Sequence, residues 1–250
     1  MLNNFQQHLG LWRSLLIYHG IPFRKRRLAR FYQQFIPSGA LCFDIGSHVG
    51  NRVAAWSALG ARVIAVEPQP FFMRYLQTRY GNRNDITLIQ KAVGERPGHA
   101  TMFISTRTPT VTSLSRSWIR EVQRDKTFRN VKWDKKLDVE ITTLDQLILD
   151  HGLPSLCKID VEGYEHQVLQ GLSYPISTIS FEYIPAAITL AQDCILELQS
   201  LGNYQFNWSM GENYQLESEA WLSSKAMLEV LSNSLCNGRS GDIYAHLAAT

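Results

Sequence analysis

Short apolar segments alternate with segments of helical periodicity from residue 41 onward. The apolar segments are too short for helices, and glycine, proline or acidic residues bound them, as is typical of buried strands. Strands that alternate with helices predict βαβ units, in which the strands are parallel and the crossovers right-handed. We therefore predict an α/β fold with a doubly wound, mostly parallel sheet and helices on both faces. The predicted strands are 41–45, 62–66, 86–89, 101–104, 137–141, 156–159, 176–181 and 242–247, the last one antiparallel at the edge.

Two segments depart from this alternation. Residues 1–36 form a predicted helical extension that ends before Pro37-Ser38-Gly39, and residues 37–250 form the main domain. Within that domain, the insertion at about residues 94–140 breaks the rhythm with a polar stretch rich in Thr, Ser, Arg and Lys. Connections this long are usually functional, and we expect the insertion to cover a site. The predicted helices of the main domain are 53–59, 71–79, 164–170 and 191–201.

The composition is that of a globular protein with a sizeable core. Of the 250 residues, 45% are hydrophobic and 19% charged, and the net charge of +3 is too small to indicate a nucleic-acid partner. The four cysteines form no Cys-x-x-Cys pair, which favours buried, reduced thiols in a reducing compartment. The apolar stretch 9–18 is too short to span a bilayer, and its charges follow it, unlike those of a secretory signal. We expect a cytoplasmic protein.

A basic run lies near the end of the extension. From Arg24 to Arg30 the chain carries five positive charges within seven residues. Such a run forms either a solvated helix face or a surface for an anionic partner, such as a lipid surface or an acidic glycan. Peripheral contact of this run with an anionic membrane surface is therefore one expectation. The sequence does not indicate the oligomeric state.

The first predicted strand runs into a glycine turn, Asp44-Ile45-Gly46-Ser47-His48-Val49-Gly50. Gly46 allows a tight turn, and its missing side chain lets a ligand approach the backbone. The helix that follows offers free backbone N–H groups to an anionic group. The dinucleotide fingerprint is absent, because His48 and Asn51 stand where its second and third glycines belong. The spacing suits a cofactor without a pyrophosphate.

Acidic residues stand where the later strands end, and ligands bind an open parallel sheet at this edge. Glu67 ends the second strand about 20 residues after the glycine turn, a position that suits hydrogen bonds to ribose hydroxyls. Asp160 and Glu162 follow the strand at 156–159, and Glu182 follows Phe181. Carboxylates that share one pocket need a cation or a proton to compensate their repulsion.

A structural role is the simpler interpretation for two of these acids. Glu162 and Glu165 lie in one short segment after the strand at 156–159. Ion pairs with nearby arginines, or contact with the start of the following helix, would account for both of them without any ligand.

Four segments together resemble the FkbM family of S-adenosylmethionine-dependent methyltransferases. They are DIGSHVG (44–50), VIAVEP (63–68), ITTLDQL (141–147) and KIDVEGYE (158–165). The resemblance covers roughly residues 40–247. It implies a seven-stranded, Rossmann-like methyltransferase sheet, S-adenosylmethionine as cofactor, and usually methyl transfer to an oxygen. The sulfonium of such a cofactor is a cation of the kind that the acidic strand ends require.

The resemblance also implies roles for individual residues. The implied cofactor contacts are Asp44, Gly46, Ser47, His48 and Gly50 around the methionine end, Glu67 and Pro68 at the ribose, Lys91, Ala92 and Val93 near the adenine, and Ser113 and Asp160 beside the pocket. One position departs from the family pattern, because His48 stands where these proteins usually carry Asn. This departure either removes one cofactor contact or places a titratable group beside the site.

Methyl transfer to a hydroxyl requires an aligned acceptor oxygen and a base for the hydroxyl proton. The candidate catalytic residues are Asp160, Glu182 and His48, in that order. Asp160, Glu162 and Glu182 could instead bind Mg²⁺. We predict no metal, because no Asn or second Asp follows where a further ligand is expected.

The expected acceptor is a hydroxyl on a sugar, a glycan or a secondary metabolite. Two other functions remain as alternatives. One is a catalytically silent, methyltransferase-like binding module, against which the acids at the strand ends argue. The other is a nicotinamide-dependent oxidoreductase, which the missing dinucleotide fingerprint disfavours.

Overall fold

The computed structural model describes residues 24–233 and 238–248. Within these ranges the strands are β1 (Leu41–Ile45), β2 (Arg62–Val66), β3 (Ile86–Ile89), β4 (Ala92–Val93), β5 (Gly98–Ile104), β6 (Lys135–Thr142), β7 (Leu156–Ile159), β8 (Thr178–Tyr183), β9 (Tyr204–Met210) and β10 (Gly241–Leu247). The α-helices are α1 (Arg24–Tyr32), α2 (Asn51–Ala58), α3 (Pro70–Tyr80), α4 (Arg116–Val122), α5 (Leu144–His151), α6 (Glu165–Leu169), α7 (Ile188–Leu201) and α8 (Ser224–Ser232).

Seven strands form the main sheet, in the order β3-β2-β1-β7-β8-β10-β9. The strands from β3 to β8 in this order pair in parallel, whereas β10 is antiparallel to both of its neighbours. Strands buried on both faces read as near-continuous apolar runs, and β2 does so after its first residue. The predicted seven-stranded, mostly parallel, Rossmann-like sheet is confirmed.

Side chains of β1 alternate between two hydrophobic clusters, one on each face of the sheet. Phe43 and Ile45 enter a cluster that also contains buried residues of α5, α6, α7 and α8. Cys42 enters a second cluster, with buried residues of α1, α2 and α3. Because successive side chains of a strand point to opposite faces, this division shows that helices cover both faces of the sheet.

The end of the chain differs from the expectation in one respect. The strand predicted at 242–247 is antiparallel as predicted, but it lies between β8 and β9 and not at the edge. The edge position belongs to β9, which the sequence pattern does not predict. The segment that forms β9, YQFNWSM, buries Asn207 and Ser209 beside Phe206, so polar residues interrupt the apolar signal of a strand.

The insertion forms a small sheet of its own. Its strands lie in the order β4-β6-β5, with β5 and β6 antiparallel and the short β4 parallel to β6. The two strands expected at 101–104 and 137–141 are parts of β5 and β6. The polar stretch between them contains α4, whose Trp118, Ile119 and Val122 are buried. This small helix anchors the insertion to the main domain.

Helix α1 packs against the main sheet. Its Leu28, Phe31 and Tyr32 are buried in the second cluster, where the Tyr32 ring lies 5.2 Å from the Trp56 ring. Arg26 and Arg30, whose side chains are exposed, lie on the opposite face of the helix, as the helical period requires. The helix expected over 1–36 is therefore present at Arg24–Tyr32, and residues 1–23 lie outside the described part of the chain.

Three of the four cysteines, Cys42, Cys157 and Cys194, are buried and free, which confirms the expectation of buried thiols for these three. Cys236 lies outside the described residues. Among the residues described, no helix combines the length and the apolar character that crossing a membrane would require.

Candidate active site

A cleft of about 760 Å³, open to solvent, lies at the carboxyl ends of β1, β2 and β7. On its opposite side are Met102, Pro109, Thr110, Thr112 and Leu114 of the insertion. The insertion therefore forms one wall of the cleft. The cleft is also lined by nine of the residues predicted for the site, namely Gly46, Ser47, His48, Glu67, Pro68, Lys91, Ala92, Val93 and Asp160. The predicted residues Asp44, Gly50, Ser113 and Glu182 do not belong to its lining.

Gly46 brings the end of β1 into direct contact with the end of β7. Its φ is +84°, and a Cβ atom at this position would lie 2.0 Å from the carbonyl oxygen of Asp160. The side chain is therefore absent chiefly because the backbone of Asp160 occupies its place. This corrects the expectation that the missing side chain makes room for a ligand, although Gly46 does line the cleft.

Gly50 has a packing role. Its φ is +71°, and a Cβ atom there would lie 2.8 Å from both Leu76 Cδ2 and Tyr80 Cε2 of α3. The Tyr80 hydroxyl donates a hydrogen bond to the Gly50 carbonyl oxygen at 3.1 Å. The second glycine of the motif therefore lets α2 begin close to α3, and the structure does not place it beside a cofactor.

Asp44 is buried behind the cleft. Its side chain is 1% exposed, and neither of its carboxylate oxygens has a hydrogen-bond partner. Burial raises the pKa of Asp44 to about 6, although the Arg52 charge opposes this shift. The neighbouring Ser47 lines the cleft and donates its hydroxyl to the main-chain carbonyl of Asp44 at 2.8 Å. Asp44 is thus a buried carboxyl next to the glycine turn that feels the Arg52 charge and, among the described residues, accepts no hydrogen bond of good geometry.

Glu67 joins the turns that follow β1 and β2. One carboxylate oxygen accepts the His48 backbone N–H and the other accepts the Gln69 backbone N–H, each at 2.9 Å. Burial raises the pKa of this carboxyl to about 7, against the effect of these two hydrogen bonds. A carboxylate oxygen has two lone-pair sites, so each oxygen can accept a further bond from a ribose hydroxyl. Pro68 continues the same wall of the cleft.

The expected adenine contacts divide between the cleft and its rim. Ala92 and Val93 are buried in β4, and the Lys91 ammonium reaches Glu140 at 2.5 Å. Ser113 is fully buried, and its hydroxyl accepts the Ser115 backbone N–H at 2.9 Å just before α4. Ser113 therefore shapes the loop, and its two neighbours, Thr112 and Leu114, line the cleft in its place.

Asp160 belongs to an ion network that the sequence does not reveal. Its carboxylate lies 2.9 Å from the Arg52 guanidinium and 4.0 Å from the Lys158 ammonium. Lys158 is fully buried and pairs with Asp242 at 2.7 Å. Burial by itself would raise the pKa of Asp160, but the charges of Lys158 and Arg52 outweigh it and hold that pKa below its usual value. Asp160 is therefore ionised at neutral pH.

Arg52, Lys158 and Asp242 are the functional residues that sequence reasoning missed. A lysine inside the apolar strand LCKI is a signal that could have been used, because buried lysines require a partner. Arg52 and Asp242 carry no such signal. Arg52 is the second residue of α2. Asp242 reaches the site from β10, which is the last described strand along the chain.

Three acids meet between the ends of β7 and β8. Asp160, Glu162 and Glu182 each place a carboxylate oxygen within 4.8 Å of the others. Burial and the neighbouring carboxylates raise the pKa of both Glu162 and Glu182 well above the usual value. Such a group suits either a shared proton or a hard divalent cation. The expectation of a site without a metal therefore stays a prediction.

The arginine ion pairs expected for Glu162 and Glu165 are wrong. Among the described residues, no basic side chain forms an ion pair with either acid. Glu165 instead accepts the backbone N–H groups of Val161 and Gly163, at 3.0–3.2 Å. Because its two oxygens tie down the loop after β7, Glu165 fixes the backbone beside Asp160. Its burial raises its own pKa to about 7.

His48 lines the cleft next to Asp160. Its φ is +48°, and its ring centroid lies 4.0 Å from that of Phe72. Burial lowers the pKa of His48 to about 4, although the Asp160 charge opposes this shift. The imidazole is therefore neutral at physiological pH.

The geometry fits S-adenosylmethionine. The cleft is open to solvent, and its donors and acceptors stand at three strand ends. Glu67 offers free lone pairs at the position expected for ribose hydroxyls, and the ionised Asp160 lies where a sulfonium would be attracted. Ala92 and Val93 supply an apolar surface suited to an adenine ring.

Solved structures with similar folds include several methyltransferases. The chain aligns with a TehB-like SAM-dependent methyltransferase from Corynebacterium glutamicum at 11% identity and a TM-score of 0.48, covering 98% of this chain and 97% of the other. It aligns with precorrin-6y C5,15-methyltransferase from Geobacter metallireducens at 11% identity and a TM-score of 0.46, covering 89% and 87%. The O-methyltransferase from Bacillus cereus in complex with SAH gives 11% identity, a TM-score of 0.43 and coverage of 96% and 90%. Similarity this low leaves the acceptor open.

Among curated proteins, none matches this sequence significantly. The model of the FkbM methyltransferase domain does match it, over residues 44–226, which is most of the chain. The matched range begins at the first acid of the glycine turn and includes the end of β1 and all of β2, β7 and β8, whose ends form the site. The chain belongs to the FkbM family of S-adenosylmethionine-dependent methyltransferases.

Proposed function

We propose that this methyltransferase transfers the methyl group to a hydroxyl oxygen of a sugar, a glycan or a secondary metabolite. The observation that carries the proposal is the ionised Asp160 carboxylate, which lies at the edge of the cofactor cleft beside Glu182. A hydroxyl is a poor nucleophile unless a nearby group accepts its proton. A carboxylate within an acid cluster is suited to that task.

When bound, S-adenosylmethionine supplies the methyl group, so that the acceptor oxygen gains a bond to carbon while the bond from carbon to sulfur breaks. The residues of the chain bind the cofactor and orient the groups that take part in the reaction. Glu67 holds the ribose, and Arg52 keeps the Asp160 carboxylate in one orientation through the 2.9 Å ion pair. Alignment of this kind supplies a large part of the rate of a displacement reaction.

Asp160 is the proposed proton acceptor. The oxygen of a newly methylated hydroxyl becomes strongly acidic, so even a carboxylate with a low pKa takes its proton. Glu182 lies within reach of the same proton, and its raised pKa suits it to carry the proton onward. His48 ranks last, because its ring packs against Phe72 and it does not belong to the acid cluster.

A metal-dependent version of this reaction uses the same three acids. Mg²⁺ bound by Asp160, Glu162 and Glu182 would lower the pKa of the acceptor hydroxyl directly. We favour the version without a metal, because the Arg52 ion pair already compensates the charge of Asp160.

The decisive experiment measures formation of S-adenosylhomocysteine with panels of alcohols, phenols and methyl glycosides, each with a matched amine. Product from hydroxyl compounds alone supports the proposal, and methylation of the amines alone contradicts it. Asp160→Asn should lower turnover by about 10²–10⁴-fold, the usual effect of losing a general base. Asp150→Asn, an exposed change at α5, is the control.

Chelation of metal ions distinguishes the metal-free reaction from the Mg²⁺-dependent one. EDTA should leave the rate of the unchanged enzyme as it was. Loss of activity with EDTA, followed by recovery with Mg²⁺, would establish the three acids as metal ligands.

We also propose the cytoplasm as the location of the protein. The support is that Cys42, Cys157 and Cys194 are free thiols, a state that a reducing compartment maintains. Localisation of a tagged full-length chain tests this proposal.

A further inference from the structure

A second, smaller cavity of about 220 Å³ lies beside the acid cluster. It is formed where the segment after β8 and the start of α7 meet α4 of the insertion. Its apolar lining consists of Trp118, Ile184, Ala187, Leu190 and Ala191. The reaction described above does not place the cofactor in this cavity, and the cavity's lining includes Glu182, the residue proposed to carry the proton onward.

The wall made by Trp118 is held in place by a close contact. A Cβ atom at Gly163 would lie 2.0 Å from Trp118 Cγ, so the indole lies directly over the backbone of the loop after β7. Gly163 has a φ of +87°, which a residue with a side chain rarely adopts. The insertion is thus fixed against the loop that carries Asp160 and Glu162.

The cavity and the cofactor cleft meet at the acid cluster. Glu182 lines the cavity, whereas Asp160 and Glu162 line the cleft. Since their carboxylate oxygens lie within 4.8 Å of one another, a hydroxyl held in the cavity beside Glu182 would lie near the acids that border the cleft. Two sites that share this border can bring an acceptor hydroxyl close to a methyl donor, as a displacement reaction requires.

The charge of the lining restricts what can bind. Glu165 and Glu182 are its only charged residues among those described, and neither is accompanied by a basic side chain in the lining. An anionic group would therefore meet carboxyl groups with no compensating cation. The remaining walls are apolar, and they favour a hydrocarbon surface.

We propose that this cavity binds the hydroxyl-bearing end of the acceptor, and that the acceptor there is a neutral alcohol or phenol on an apolar carbon frame. The inference rests on the proposed hydroxyl methylation. The cavity is much smaller than a typical ligand site of about 300–1,000 Å³, so it holds only the hydroxyl-bearing end and the rest of the acceptor extends outward. Leu190 and Trp118 then determine specificity.

The test uses benzyl alcohol as probe, benzoate as its charged counterpart, and saturation-transfer NMR of the full-length chain with saturating S-adenosylhomocysteine. Benzyl alcohol should receive saturation from the protein and benzoate should not. Leu190→Trp fills the cavity and should reduce the benzyl alcohol signal at least about fivefold. Leu196→Trp is the matched control, because Leu196 lies on the same helix, is 52% exposed, and does not line the cavity.

Binding of S-adenosylhomocysteine, measured by calorimetry, separates the inference from the proposed function. If the unchanged protein fails to bind it, the proposed function itself fails. If it binds equally well to both tryptophan variants, and these also give equal benzyl alcohol signals, only the acceptor cavity is wrong. An equal signal from benzoate would likewise overturn the inference.

A second variant covers the case in which Leu190→Trp does not fold. Leu190→Ala enlarges the cavity and should strengthen the signal of 1-naphthylmethanol relative to benzyl alcohol. An unchanged ratio of the two signals would overturn the proposal.

Discussion

Replacing Gly46 by alanine tests how the turn after β1 is packed against the end of β7. The new Cβ atom would lie 2.0 Å from the Asp160 carbonyl oxygen, although such contacts are ordinarily 3.4 Å or longer. One of the two strand ends must therefore move by more than 1 Å, as the difference between these distances requires. Gly39→Ala is the matched control, because Gly39 also has a positive φ, +78°, but has no atom within 4 Å of its Cβ position.

The two variants separate backbone strain from steric overlap. Both pay the cost of a side chain at positive φ, about 1–2 kcal/mol. Only Gly46→Ala adds the overlap, for which overpacked interiors suggest about 1–3 kcal/mol more. We expect unfolding in guanidinium chloride, followed by circular dichroism, to give a free energy of unfolding that is lower for Gly46→Ala than for Gly39→Ala by that amount.

The same shift moves the backbone of Asp160, so Gly46→Ala should also weaken binding of S-adenosylhomocysteine, whereas Gly39→Ala should not. Equal unfolding free energies for the two variants would refute the packing role assigned to Gly46. A loss of cofactor binding without any additional loss of stability would instead restore the role of making room for the ligand.

Three further predictions follow from the site and from α1. Glu67→Gln should weaken S-adenosylhomocysteine binding by about 1–3 kcal/mol in calorimetry, because a charge-assisted hydrogen-bond acceptor is lost, while the exposed change Glu229→Gln should have no effect. Burial raises the pKa of Glu165 from 4.5 to about 7, so between these pH values the folded chain holds a proton that the unfolded chain has released. The free energy of unfolding should therefore fall as the pH rises from 4.5 to 7. Glu165→Gln should reduce this fall by up to about 3 kcal/mol, as measured by denaturant titrations at several pH values. If α1 contacts anionic membranes, replacing the exposed Lys25 and Arg26 by glutamine should reduce sedimentation of the protein with phosphatidylserine vesicles, and high salt should have the same effect. Failure of the wild-type chain to sediment with these vesicles would contradict the contact.

The centre of the main sheet was readable from sequence because β1, β2 and β7 are buried and are followed by a glycine or an acid. The same property brought Gly46, Glu67 and Asp160 together, since the carboxyl ends of parallel strands share one edge of the sheet. Predicting that edge requires no knowledge of side-chain directions. It requires only the order in which strands and helices alternate.

The remainder of the site depends on directions that one-dimensional patterns do not carry. Whether Arg52 faces the cleft depends on how α2 is rotated after Gly50, and this rotation follows from the burial of Val53, Ala55 and Trp56. Ser113 shows the opposite case. It lies in the loop that lines the cleft, as expected, but its hydroxyl accepts the Ser115 backbone N–H and does not line the cleft. Asp242 lies in an antiparallel strand that pairs far along the chain, so no local spacing links it to Lys158.

The position of β10 has a consequence for how the enzyme forms during synthesis. Residues 241–247 are the last strand described, yet they lie between β8 and β9, so the sheet has a gap until they arrive. Until then, Lys158 lacks the Asp242 carboxylate that compensates its fully buried charge, and an uncompensated buried charge is strongly destabilising. A chain that is still on the ribosome and has not yet reached residue 242 can therefore contain every cofactor-binding strand end and still lack the complete ion network of Lys158 and Asp242. Completion of the ion network around Lys158 thus coincides with insertion of the last described strand.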